Sequence, residues 1–388
     1  MGLHKVKAKF RDWLEMEDDK IIDVLFATVI ANRAEGDSVN MHIVGPPSSS
    51  KSELLRSIFV LPDVFPLSTL TAHTFTSGLT EKSNTLVDHS LLTRLKKQDK
   101  TLLCIKDFTS ILDKRSEERQ EIFAQLREIA DGQFCHVYGS GKETVVWEGR
   151  LGVITGVTPV IDKQYSLRQI LGERFLHYRM SPVDPMEMAK KASKNIGKEV
   201  LMRKELSETV SRFMDKFKQP DLTEISMGSI TNTMLINLSI VIAEGRSGVS
   251  RERYTKILQY IPEVEAPARI MKYFSKIGKS IAMIQNRHFM DRNTYDILKK
   301  IARDTLPSYR NLLLRFLYNQ YPEKCPISFL SDKLHHPVMT LKNYLEDFIV
   351  IGMVEMDDVK NGDIGRPEQI FKLSQRTYEQ IKASQIYD

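Results

Sequence analysis

The chain has 388 residues, 41% hydrophobic, 27% charged and 8% aromatic, and at about 150 residues per domain it is long enough for two or three folded domains. That composition excludes a disordered chain. No apolar run reaches the roughly 18–20 residues that span a bilayer, so the expectation is a cytoplasmic protein with no membrane partner. Cys104, Cys135 and Cys325 form no CxxC pair, which leaves neither a disulfide framework nor a zinc ribbon. The net charge of +6 permits a nucleic-acid partner without demanding one.

Along the chain, Trp13, Leu14, Ile21, Ile22, Leu25, Phe26, Val29 and Ile30 recur at spacings of three and four, which predicts an amphipathic helix over 12–34 ending at the Glu35-Gly36-Asp37 turn. The apolar run 39–44 then empties into Gly45 and reads as a buried strand. Similar runs at 101–105, 151–154 and 175–180 alternate with helical patterns at 51–59 and 115–131. Strands alternating with helices imply an α/β domain with a parallel sheet, assigned here to residues 1–184. Residues 185–305 carry an almost wholly helical period and form a second region. In 306–388, helices at 308–318, 327–334 and 338–351 precede strands at 353–356 and 369–373 around a Gly-rich turn, the pattern of a winged helix. Its third helix offers Lys342 and Asn343 but also Glu346 and Asp347, which leaves DNA contact and protein docking both open.

The first strand empties into Gly45-Pro46-Pro47-Ser48-Ser49-Ser50-Lys51-Ser52, followed by a helix that opens with Glu53. A phosphate loop needs small residues whose N–H groups wrap the anion, a lysine for the β and γ oxygens, and a hydroxyl for Mg²⁺. Lys51 and Ser52 stand in register for the last two roles. The departure is Ser50 in place of the second glycine, tolerable if it keeps a helical φ. A Ser-rich solvated turn is the alternative reading. A metal partner should end a neighbouring strand, and the run 101–105 is followed by Lys106 and Asp107, so one carboxylate must hold metal and polarise water, or hydrolysis is slow. A surface Lys–Asp pair is the alternative there.

In this order the pieces resemble the AAA+ ATPases of the pre-sensor-1 hairpin group, and are similar to the minichromosome-maintenance type helicases and their short relatives in phages and mobile elements. The resemblance spans roughly residues 20–380 and rests on short motifs. It implies an AAA+ core with ATP and Mg²⁺ as cofactors, an all-helical lid over 185–305 and a C-terminal winged helix. Ile105-Lys106-Asp107-Phe108 aligns with the family's IDEF, which puts Asp107 in the place of the catalytic acid and leaves Lys106 as the departure. The predicted hairpin over 134–147 stands where the family places its DNA-contacting hairpin, with Lys142 at the tip. Thr158 takes the sensor-1 place, where an Asn is more usual. Arg174, in Leu171-Gly172-Glu173-Arg174-Phe175, resembles the arginine finger that acts in a neighbouring subunit, and Arg269 the sensor-2 arginine. The plain structural readings are a solvated turn for Lys142, a strand-end hydroxyl for Thr158 and an intrasubunit ion pair for Arg174. The run from Lys190 to Lys204 reads as a solvated face of the lid. The family's N-terminal zinc and oligonucleotide-binding domains, and most of its insertion near 79–100, have no counterpart in these residues.

The function so implied is an ATP-hydrolysing ring motor, a hexamer acting on single-stranded or forked DNA in the replication of a phage or mobile element. The alternatives are an ATP-dependent loader or switch that assembles on DNA and recruits a replication or mobile-element protein through the winged helix, and a weakly hydrolysing winged-helix regulator.

Overall fold

The computed structural model describes residues 1–75, 79–82, 85–88, 90–137, 144–164, 174–249, 251–252, 263–359 and 367–388. They divide into two compact units. The first holds Met1–Gln164, 174–226 and Lys276–Ile297, and the second Met227–Ser275 and Leu298–Asp388.

Among the described residues, nine strands belong to the first unit: β1 (Asn40–Val44), β2 (Val64–Leu67), β3 (Leu79–Lys82), β4 (Thr85–Asp88), β5 (Leu102–Ile105), β6 (Gln133–Val137), β7 (Thr144–Glu148), β8 (Gly152–Val157) and β9 (Phe175–Arg179). Five make a parallel sheet in the order β2-β5-β8-β1-β9. β1, β5 and β8 are buried along their whole length, which is why they read as unbroken apolar runs rather than alternating ones. The expected parallel sheet is present, with one strand that the apolar pattern does not reveal. β2 carries Pro66, which reads as a break, and it is accommodated because β2 is an edge strand, where a missing N–H costs no ladder bond. β3–β4 and β6–β7 are separate antiparallel pairs.

The helix expected over 12–34 is two helices, α1 (Leu3–Trp13) and α2 (Lys20–Arg33). Leu14 leaves α1 in an extended conformation, and the Asp18 carboxylate accepts the Lys20 N–H, so side chains compete with the helical backbone at the break. α1 shows only Val6 and Phe10 to the interior, a stripe too narrow to stand out among its lysines. At the far end of α2, Asn32 donates to Thr28 O and Val39 O and accepts the Val39 N–H, all at 2.8–2.9 Å, which locks the start of β1 to the helix. α3 (Lys51–Ser57), α4 (Leu91–Lys97), α5 (Thr109–Leu112) and α6 (Ser116–Ala130) connect the strands.

In the second unit the helices Ser308–Gln320, Ile327–Leu334 and Val338–Ile351 are followed by β11 (Val354–Val359) and β12 (Glu368–Leu373), with β10 (Cys325–Pro326) completing a three-stranded antiparallel sheet in the order β10-β12-β11. A last helix, Gln375–Ser384, packs on the helix Ser229–Gly245, where Arg376 pairs with Glu244 at 2.7 Å. Glu346 and Asp347 on the third helix hold Arg251, and Asp347 also holds the fully buried Arg310 at 2.9 Å. These acids therefore face internal cations. No helix among the described residues is long and apolar enough to cross a membrane.

Candidate functional site

β1, β8 and β5 are parallel neighbours, so the loops that follow them open at one edge of the sheet. The register pairs Val44 with Val157 and Ile105 with Thr155, and Gly45 N–H donates to Val157 O at 3.1 Å. The segment from Gly45, the segment from Lys106 and the segment from Thr158 thus emerge side by side, at the strand ends where open parallel sheets bind ligands.

The loop after β1 is held tightly at its base. A side chain at Gly45 would put its Cβ 2.8 Å from Ser49 Oγ, so glycine leaves the Ser49 hydroxyl its place against the loop base. Ser48 and Ser50 both take left-handed conformations, with φ of 61° and 63°. The condition under which Ser50 would be tolerable, a helical φ, is not met: Ser50 caps α3 in the left-handed region, where glycine would be unstrained and serine is not. A loop that alternates backbone hand in this way turns N–H groups towards a common anion position. Pro46, Pro47 and Ser48 are exposed, Ser49 is buried, and Ser52 is exposed on the first turn of α3.

Lys51 is buried among the loop's own acceptors. Its ammonium donates to Gly45 O at 2.6 Å, to Pro46 O at 2.5 Å and to Ser49 Oγ at 3.1 Å. Burial pulls its pKa below the ordinary lysine value, and the charge of Asp107 opposes that shift. Two residues further on, Glu53 accepts both arms of Arg203 at 2.8 and 3.0 Å. Arg203 lies in the helix Glu199–Met214, so the expected solvated face is in part a clamp on the helix behind the loop. The rest of that run does behave as a surface: the helix Pro185–Asn195 buries none of its residues, and Lys190 pairs with Glu187 at 2.7 Å.

After β5, Asp107 is exposed, and its carboxylate accepts the Thr109 N–H at 2.9 Å. Thr109 Oγ1 in turn donates to Thr158 Oγ1 at 3.3 Å and accepts the Thr158 N–H at 3.1 Å. Gly156 permits this approach, since a Cβ there would lie 2.6 Å from Lys106 O. Asp107 and Thr158, named separately from the sequence, are joined by a residue that sequence reasoning passed over. Its signal was the Asp-x-Thr spacing, in which an Asp side chain bonds backbone two residues on. At the same edge, Arg179 at the end of β9 grips Asp162 through two bonds of 2.8 Å, and Met180 N–H donates to Val44 O at 2.8 Å.

Of the other three candidates, one lies at the far end of the strands, one belongs to the second unit and one is outside the described residues. Arg174 precedes β9 and sits opposite the start of β1, at the far end of the strands from Gly45, roughly 15 Å away for a five-residue strand. There it pairs with Asp131 at 2.7 Å, with its side chain mostly buried. Arg269 belongs to the second unit and stands in the first turn of the helix Ala268–Ile284. A cation is disfavoured at a helix start unless an anion is near, and Glu265 supplies that anion at 3.6 Å while also holding Arg246 at 2.7 Å. The position of Arg269 therefore has a local electrostatic reason. Lys142 lies outside the described residues, between β6 and β7.

No protein-family model matches the chain, and no curated protein sequence matches it. Among solved structures, a crystal structure described as a "putative ATPase" from Cytophaga hutchinsonii is similar over 78% of this chain and 85% of its own, at 10% identity and a TM-score of 0.45.

Proposed function

We propose that this chain is a P-loop nucleoside triphosphatase. One observation carries the reading: a Gly-x-x-x-x-x-Lys-Ser loop with two left-handed residues, a buried lysine and the carboxylate of Asp107 meet at one end of three adjacent parallel strands. Backbone N–H groups of residues 48–52 would cradle the phosphates. Lys51 would exchange its loop carbonyls for β and γ oxygens, while Ser52 and Asp107 fit a hard divalent cation such as Mg²⁺, which prefers oxygen ligands and would supply positive charge beside the phosphates. Thr158, which follows the middle strand, would lie near the transferred phosphoryl group, and Asp107 would orient an attacking water.

The resemblance to hairpin-bearing AAA+ ATPases extends the proposal to a ring. Arg174 would then act on a neighbour's nucleotide, Lys142 would meet a DNA backbone in the channel, Arg269 would sense nucleotide from the lid, and residues 306–388 would form a winged helix for DNA or a partner protein. A slower switch is the second reading, favoured by Lys106 in the place beside the single carboxylate. The test is Mg²⁺-dependent ATP turnover and fluorescent-nucleotide binding by the purified chain. Lys51→Ala should abolish the first and weaken the second, and undiminished turnover in that variant would remove the assignment.

A further inference from the structure

Two strands meet at the candidate site through a pair of hydroxyls. Thr109 follows β5 and Thr158 follows β8, and two hydrogen bonds join them: Thr109 Oγ1 donates to Thr158 Oγ1 at 3.3 Å, and Thr158 N–H donates to Thr109 Oγ1 at 3.1 Å. A third bond, Thr109 N–H to Asp107 Oδ1 at 2.9 Å, ties the same residue to the carboxylate. A threonine hydroxyl has one proton and two lone pairs. Thr109 spends its proton on Thr158 and one lone pair on the Thr158 backbone. Thr158 therefore receives a hydrogen bond on its oxygen, and its own hydroxyl proton is left for an acceptor other than Thr109. Both residues are partly exposed, so a ligand can reach that proton.

We propose that Thr109 is a positioning residue for phosphoanhydride hydrolysis: it holds Asp107 in place through its backbone and commits the Thr158 hydroxyl to donating towards an anionic oxygen of the bound nucleotide. This rests on the nucleotide-hydrolysis reading above. The chemical reason is that a hydroxyl rotor chooses between donating and accepting, and a phosphate oxygen only accepts. Without Thr109 Oγ1, Thr158 loses the partner that decides its rotor, and its backbone N–H loses an acceptor. Mispositioning of a group that acts on the transferred phosphoryl lowers turnover rather than ground-state binding.

The experiment compares wild type, Thr109→Val, Thr109→Ser, Thr158→Val and the double valine variant of the full chain, by steady-state ATP turnover, fluorescent-ADP affinity with Mg²⁺ and thermal unfolding. Thr109→Val is expected to lower kcat roughly ten- to hundred-fold with nucleotide affinity and melting temperature little changed. Thr109→Ser should recover most of the loss. Thr158→Val should match Thr109→Val, and the double variant should be no worse than either, because residues acting through one another are not additive. Unchanged turnover in Thr109→Val, equal losses in Ser and Val, or additive losses in the double variant would each overturn the role while leaving the nucleotide reading intact. A wild type that neither binds nor hydrolyses nucleotide, and that Lys51→Ala does not alter, would overturn both.

Discussion

Single residues in and around the loop after β1 carry opposing demands of conformation and charge. Ser50 holds φ at 63° without the freedom of glycine. Ser50→Gly is therefore expected to stabilise the chain by roughly 0.5–1 kcal/mol, the left-handed penalty of an L-residue less the added chain entropy of glycine, read as a raised melting temperature. At Lys276 the opposing demands are of charge. It donates to Ala34 O, Gly36 O and Asp37 O at 3.2, 3.3 and 2.7 Å, at the end of α2, where Arg150 also binds Ala34 O. Burial first, then the Arg150 charge, lower its pKa to about 8, against the charge of Asp37. The folded state then binds fewer protons than the unfolded one between about 8 and the ordinary lysine value, so this group's cost is full below pH 8 and fades as pH rises. Chemical denaturation at pH 7.5 and 9.5 should show Lys276→Met gaining most over wild type at the lower pH. A difference that is constant with pH would remove Lys276 as the source.

Between elements, stability rests on close backbone approach and on buried charge. A Cβ at Gly156 would meet Lys106 O at 2.6 Å and Leu55 Cδ1 at 3.1 Å. Gly156→Ala must push the segment bearing Asp107 away from β8, at an expected cost of roughly 1–3 kcal/mol and with a larger loss of turnover than of folding. In the second unit Arg310 is wholly buried and holds Gly245 O, Ser247 O and Asp347, at 3.0, 2.6 and 2.9 Å. Arg310→Met leaves two carbonyls without that donor and takes one cation from a buried carboxylate, which should cost roughly 3–5 kcal/mol in urea unfolding. Adding Asp347→Leu should restore little, because Asp347 also holds Arg251, which would lose that acidic partner and keep Glu346. The same network bears on the third helix. Glu346 and Asp347 look from the sequence like acids that would repel a DNA backbone, but their charge is spent on Arg251 and Arg310.

For the whole molecule, the ring proposal makes a demand that one chain does not meet. Arg174 stands at the opposite end of the strands from Lys51 in the same chain, so any action on a phosphoryl group must be on another copy's. Arg174→Ala should bind nucleotide and hydrolyse it poorly, since arginine fingers contribute of order 10³–10⁵ in rate. Mixing it with Lys51→Ala subunits should restore some turnover, because each variant supplies what the other lacks. No recovery at any ratio, with a wild type that stays monomeric in ATP, would remove the ring and leave Arg174 as a partner of Asp131.

The parallel sheet, the tight Ser-rich turn before α3 and the helices described within 185–305 are readable in the amino acids because each depends on near neighbours: apolar runs of strand length, small residues before Lys-Ser, and a period of three to four. Val64–Leu67 is not readable as a strand, since Pro66 argues against one until the sheet makes β2 an edge. The strand order is likewise invisible locally, yet it is what sets the loop after β1 beside Thr158 and Asp107. Thr109, Arg203 and the Arg179–Asp162 pair have no motif of their own; their partners lie 49, 150 and 17 residues away. Local patterns encode backbone conformation and burial, whereas side chains that meet across long stretches of chain are brought together only when the hydrophobic sheet and its crossovers close. That is why the loop that would hold the phosphates was evident from eight consecutive residues, and the hydroxyl bridge that would aim Thr158 at them was not.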